Sequence, residues 1–234
     1  MCGIVGYMGH RKAAPLVLKG LQRLEYRGYD SAGMALYQDQ VVSLYKTQGK
    51  VADLAALANF KYANQTIGMG HTRWATHGVP SDANAHPHSS NSGELTLVHN
   101  GIIENYEALK KLLVIKGYVF YSDTDTEVLV NLIEDVQKSH QYQLGKAVQV
   151  ALSQVVGAYA IVVFDTKKTD ELVVAKLGSP LAIGMGNQEY FIASDASPFI
   201  EYTKKAVYLE DHQLAIIKRD RAPKILSIAT DTFT

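Results

Sequence analysis

Cys2 is the only cysteine of the chain, and it stands between Met1 and Gly3. A lone cysteine is often a buried, inert hydrophobe. Position 2 offers another chemistry. Initiator methionine is trimmed when the next side chain is small, as cysteine is. The processed chain would then begin with a thiol beside a free α-amine, whose ordinary pKa of about 7.7–8.0 lies close to neutrality. Such an amine can take the thiol proton, directly or through water. One residue then holds both nucleophile and base, as in enzymes built on an N-terminal threonine. Gly3 leaves room for a substrate to approach.

Three further groups bear on the same chemistry. Asn100-Gly101 follows the strand-like run Leu95–His99. Asn-Gly is a common hairpin turn. It is also a pair of donors, a side-chain amide and an unobstructed backbone N–H, suited to a tetrahedral oxyanion and worth roughly 3–4 kcal/mol each. A turn at a strand end would aim them, so both readings can hold. Arg73 closes another strand-like run and can clamp a carboxylate with two parallel donors, or make a surface ion pair. Ser122-Asp123-Thr124-Asp125-Thr126-Glu127 reads as a capped helix start, with Thr124 or Asp125 as the cap and acids in the first turn. One of those carboxylates could instead face an ammonium. An arginine for a carboxylate and an aspartate for an ammonium are what an α-amino acid requires.

Trp74 is the only tryptophan, and core packing is its ordinary role. His77, His86 and His88 stand nine and two positions apart, spacings that match no zinc pattern. No cysteine joins them and a structured polar loop accounts for them, so neither metal nor cofactor is expected.

The elements that must hold these residues follow from periodicity. Residues 2–8 read as a buried strand and 11–25 as a helix with apolar positions Ala13, Ala14, Leu16, Val17, Leu21 and Leu24. Residues 32–37 and 41–45 read as a hairpin across Gln38-Asp39-Gln40, and 54–57 as a short helical piece. Strands are expected at 66–72 and 94–99, with 77–93 as loop between them. Helices are expected at 104–116, 126–139 and 143–154, then short strands at 158–164, 172–177, 181–184, 190–193, 206–209, 213–218 and 222–226. Strands that open and close a chain around central helices suit two antiparallel sheets covered by helices, a layered α+β domain. The alternative is two domains divided near Gly157.

The chain has 234 residues, and its 23 basic side chains match its 23 acidic ones. It therefore lacks the electrostatic footprint of a nucleic-acid binder. One cysteine permits no internal disulfide, and no apolar run is long enough to cross a membrane. The expected compartment is the cytoplasm, with a small molecule or another protein as partner.

At the level of motifs, Met1-Cys2-Gly3-Ile4-Val5-Gly6, the runs 23–33, 71–78, 85–88 and 99–105, and Ser122 to Glu127 together resemble the class II glutamine amidotransferases. Within them the likeness is greatest to the glucosamine-6-phosphate synthase branch, over about residues 1–195. The run Glu25-Tyr26-Arg27-Gly28-Tyr29-Asp30-Ser31-Ala32-Gly33 separates that branch from amidophosphoribosyltransferases and asparagine synthetases. The resemblance implies an N-terminal-nucleophile hydrolase fold, a four-layer αββα sandwich of two mainly antiparallel sheets. It implies that residues 1–234 form one glutaminase domain, with L-glutamine as substrate. Cys2 would attack the glutamine side-chain amide, and Asn100 and Gly101 would form the oxyanion hole. Arg73 would hold the α-carboxylate and Asp125 the α-ammonium. Trp74, Thr76, His77 and Gly78 would line the glutamine pocket, with Trp74 gating ammonia and His86 ordering the loop. The implied partners are sugar isomerase domains, absent from this chain, and further copies of the full-length enzyme. Two other readings stand beside this one: a glutaminase serving another acceptor such as phosphoribosyl pyrophosphate, and a glutamine-binding module without turnover.

Overall fold

A computed structural model describes residues 2–57, 60, 63–74, 78–168 and 170–228. In chain order the elements are β1 (Gly3–Met8), α1 (Ala13–Leu24), a single 3-10 turn at Glu25–Arg27, β2 (Ser31–Gln38), β3 (Val41–Gln48), α2 (Val51–Ala56), β4 (Ile67–Arg73), β5 (His88–Ser89), β6 (Leu95–Ile103), α3 (Tyr106–Ile115), α4 (Asp125–His140), α5 (Leu144–Leu152), β7 (Gly157–Asp165), β8 (Glu171–Leu177), β9 (Ala182–Met185), β10 (Tyr190–Ala193), β11 (Ala206–Tyr208), β12 (Gln213–Lys218) and β13 (Arg221–Ser227).

The strands form a 7-stranded sheet, ordered β11-β9-β10-β1-β4-β2-β3, and a 6-stranded sheet, ordered β13-β12-β8-β7-β6-β5. Their described pairings are antiparallel. Strand periodicity assigns each face. In β1, Ile4 and Met8 point into the core shared by the two sheets, while Val5 and Tyr7 pack under α1. In β6, Val98 faces the other sheet, and Leu95, Leu97 and Ile103 face α3, α4 and α5. The layers run helix, sheet, sheet, helix, which is the αββα sandwich.

Both halves of the chain share these sheets. β7 pairs with β6, and β10 pairs with β1, so no boundary falls at Gly157. One expectation is corrected. Asn100-Gly101 is not a turn: β6 continues through it to Ile103, with Asn100 opposite Ala160 and Gly101 opposite Tyr159. Glycine is required there because φ is 125° and a Cβ would lie 2.0 Å from the Ala158 carbonyl oxygen. The helix starting at Asp125 is capped as its sequence suggests, by Thr124 accepting the Glu127 N–H at 3.2 Å. No helix among the described residues is long and apolar enough to cross a membrane.

Candidate active site

Cys2 sits just ahead of β1, and the β1–β4 register sets Gly3 opposite Thr72. That brings Cys2 beside Trp74, just past the end of β4. The Trp74 backbone N–H donates to Cys2 Sγ at 3.1 Å, and the thiol lies 3.5 Å from the Trp74 carbonyl oxygen. Burial raises the thiol above its ordinary pKa, against the lowering effect of the Trp74 N–H. Cys2 is half-buried and lines a cavity of about 320 Å³ with Arg27, Trp74, Asn100, Gly101 and Pro180. It is not an inert core cysteine.

Asn100 reaches Cys2 across the sandwich. Its Nδ2 donates to the Cys2 carbonyl oxygen at 3.2 Å and to Ser194 Oγ at 3.1 Å. Ser194 Oγ also accepts the Ile4 N–H at 2.8 Å. The Cys2 carbonyl takes a second donor, Arg27 Nε, at 3.1 Å. Arg27 is held in turn by Asp195, 3.2 Å away, which also accepts from Tyr26 at 2.7 Å. Two separated parts of the chain, Arg27 and Asn100, therefore donate to one carbonyl group beside the thiol, and Ser194 and Asp195 contact those two donors.

A second compartment adjoins the first. Its walls include Cys2, Arg73, Trp74, His86, Gly101 and Asp125, but it holds only about 10 Å³, room for roughly one water. Arg73 is buried, not at the surface, and Nη2 donates to the Gly78 carbonyl at 3.2 Å. Asp125 is buried too, and Oδ2 accepts the Ile103 N–H at 2.8 Å. Arg73 and Asp125 thus meet at one small compartment, which is narrower than an amino acid head group.

Trp74 is 54% exposed, so it is not core packing. Its ring lies over Gly28, where a Cβ would come within 2.7 Å of Cε3. His86 is buried, stacked on His71 at 4.1 Å, with Nδ1 accepting the His99 N–H at 3.4 Å. His88 packs edge-on to it and meets Thr124 Oγ1 at 3.1 Å. Among the described residues, no three His, Cys, Asp or Glu side chains are grouped to hold a metal. Thr76 and His77 lie outside the described residues, as does Met1.

The sequence reading missed His71, Ser194 and the contact of Arg27. His71 and Arg27 stand inside recognised motifs, which was their one available signal. Ser194 has none, because its place beside Ile4 comes from the β10–β1 pairing across 190 residues.

A thiol at the head of a strand, opposed by a side-chain amide across an αββα sandwich, defines the N-terminal-nucleophile class of hydrolases. Comparison narrows the class. The chain belongs to the glutamine amidotransferase domain family, whose profile matches residues 58–224. Its curated relatives include the glutamine–fructose-6-phosphate aminotransferases (isomerizing) of Bacteroides thetaiotaomicron and Chlorobaculum tepidum. The first is 54% identical over 235 residues, covering 100% of this chain and 38% of the relative. The second is 55% identical over 224 residues, covering 94% and 36%. The chain thus spans little more than a third of the curated relatives it matches. Among solved structures, glutamine phosphoribosylpyrophosphate amidotransferase from B. subtilis, complexed with ADP and GMP, superposes with a TM-score of 0.82 at 29% identity, over 98% of this chain and 50% of the other. The curated relatives, at 54% and 55% identity, are more similar to this chain than that amidotransferase at 29%.

Proposed function

We propose that this chain hydrolyses the side-chain amide of L-glutamine through a Cys2 thioester. The observation that carries the proposal is the Cys2 thiol, held by the Trp74 N–H and open to a cavity also walled by Asn100 and Gly101. With Met1 removed, the Cys2 α-amine takes the thiol proton as Sγ adds to the amide carbon. The carbonyl π pair moves to oxygen, where Asn100 Nδ2 and the Gly101 N–H receive the charge. The tetrahedral adduct collapses, the carbon–nitrogen bond breaks, and the ammonium proton passes to the leaving nitrogen, so ammonia departs. Water then adds to the γ-glutamyl thioester, Sγ leaves, and glutamate is released. Arg73 binds the α-carboxylate and Asp125 the α-ammonium once their compartment opens. Trp74, Thr76, His77 and Gly78 line the glutamine, Trp74 gates ammonia, and His86 orders the loop. No cofactor takes part.

The activity for which the curated relatives are named supports fructose 6-phosphate as the acceptor. The ammonia would pass to sugar isomerase domains of a longer, homo-oligomeric enzyme that makes glucosamine 6-phosphate. A single free cysteine suits a reducing compartment, and the proposed setting is the cytoplasm.

The test is intact-mass analysis before and after a glutamine-mimicking diazoketone. The expected result is a chain lacking Met1 and one adduct mapping to Cys2. An adduct elsewhere, or none from a chain that still turns over glutamine, removes the assignment.

A further inference from the structure

The proposed mechanism leaves unused a group in direct contact with its oxyanion donor. His71 lies on β4, points between the sheets and is fully buried. Its Nε2 is 3.0 Å from the His99 carbonyl oxygen and 2.8 Å from Asn100 Oδ1. These contacts fix two assignments without any hydrogen being seen. A carbonyl oxygen only accepts, so Nε2 carries the proton. An amide nitrogen placed against that N–H would set donor against donor, so the Asn100 atom facing His71 is the oxygen. The other end agrees. The Asn100 atom 3.2 Å from the Cys2 carbonyl oxygen also faces a pure acceptor and must be the nitrogen.

Burial keeps the ring neutral, holding its pKa down to about 3. Nδ1 then bears a lone pair. It is buried beside the stacked His86 ring, without a hydrogen-bond partner among the described residues. The tautomer is therefore set by the Nε2 side alone.

We propose that His71 is a positioning residue for glutamine hydrolysis: its Nε2–H holds Asn100 Oδ1, so that Nδ2 faces the Cys2 end of the site, where the oxyanion forms. The inference rests on the glutaminase reading above. Without that donor, only the Cys2 carbonyl and Ser194 Oγ orient the amide, and both are acceptors that share Nδ2 with the oxyanion; a half-turn would then present Oδ1 to the oxyanion and oppose the charge it should receive.

The test compares His71→Leu, which deletes the donor, with His71→Gln, which returns an N–H at similar reach. Two reactions of Cys2 are measured in each. Glutamine hydrolysis passes through an oxyanion, whereas alkylation by iodoacetamide is a displacement at a saturated carbon. For His71→Leu we expect kcat to fall about 10-fold or more, since losing an oxyanion donor outright costs about 10²–10³. KM should stay within about 2-fold and alkylation near the wild-type rate, because ground-state binding and the thiol are untouched. His71→Gln should recover most of kcat. Equal losses in both reactions, or no recovery with glutamine at this position, would overturn the proposal. Nitrogen NMR of the unmutated protein gives a check independent of any variant, expecting a protonated Nε2 and a bare Nδ1. The opposite tautomer overturns it. A wild-type chain that alkylates normally but releases no ammonia would sink the glutaminase reading itself, and this inference with it.

Discussion

The backbone N–H of Trp74 points at the sulfur of Cys2 across 3.1 Å, although the two residues are 72 positions apart. The β1–β4 pairing makes that contact, and it leaves the thiol facing a cavity rather than the core. Cys2 precedes β1 and its side chain belongs to none of the three apolar clusters. Cys2→Ala should therefore lower glutamine turnover by at least about 10³-fold, the scale on which loss of a nucleophile acts. Its thermal unfolding should stay near wild type. A variant that keeps a tenth of the activity would exclude Cys2 as nucleophile, and one that unfolds would make it structural.

Asn100 should behave differently. Its Nδ2 serves the nucleophile end while its Oδ1 takes the His71 N–H. Asn100→Ala removes the proposed oxyanion donor, with an expected loss in kcat of about 10²–10³. It also removes one of the two acceptors of the buried His71 N–H, which keeps the His99 carbonyl oxygen, so the expected loss of stability is about 0.5–1.5 kcal/mol. Steady-state kinetics and chemical denaturation read the two effects separately. Loss of stability with intact kcat would leave Asn100 as a scaffold residue only.

Much of the fold was legible because it is local. Short apolar runs mark β1 and the β2–β3 hairpin, a period-3.6 apolar pattern marks α1, and the capping residues before α4 mark its start. The turn reading of Asn100-Gly101 failed for a tertiary reason. That pair is a strong hairpin signal only when both flanking runs pair with each other, and here β6 pairs instead with β7, more than fifty residues on. Glycine at 101 answers to the Ala158 carbonyl, a neighbour invisible in sequence. The site divided the same way. Residue type and motif singled out Cys2, Arg73 and Asp125, which line one compartment, whereas Ser194 and the hydrogen bonds of His71 exist only once the two sheets are stacked.

Asp125 offers a test of the closed compartment. Its Oδ2 accepts the Ile103 N–H, a contact that an asparagine oxygen can keep. Asp125→Asn therefore removes charge with little change in packing. If this carboxylate binds the glutamine ammonium, KM should rise about 10-fold or more, as expected for a hydrogen bond to a charged group worth about 1.5–3 kcal/mol. Alkylation of Cys2 by iodoacetamide should not change. An unaltered KM would place the amino acid head group elsewhere.

Gly101→Ala should be harsher than its size suggests. The added methyl would meet the Ala158 carbonyl oxygen on the neighbouring strand, at a φ that side chains rarely adopt. Strain of this kind costs about 1–3 kcal/mol, before any displacement of β7 from β6. We expect a lower melting temperature together with loss of turnover, because the same residue lines the Cys2 cavity. Normal stability and activity would mean that the strand bends freely here.

The buried histidines should make the protein acid-sensitive well above the carboxylate range. Burial holds His71 down to about 3, and His86 and His88 well below the ordinary histidine value. Once unfolded, each takes a proton near pH 6.5. As pH falls below about 6.5, the unfolded chain binds protons that the folded chain refuses, so stability falls with falling pH. Each such histidine contributes a slope of about 1.4 kcal/mol per pH unit, fully developed below the unfolded value and, for His71, ending near pH 3. Above about pH 7.5 the term is nearly flat. Urea unfolding at about pH 8.5, 7.5 and 5.5 isolates it, because the carboxylates titrate mainly below that window. The midpoint should hold between the first two values and drop at the third. His71→Gln, which cannot take up a proton, should flatten the drop by one histidine's share. A wild-type midpoint that does not move would mean that these rings are protonated inside the folded protein, and His71 could then donate from both nitrogens.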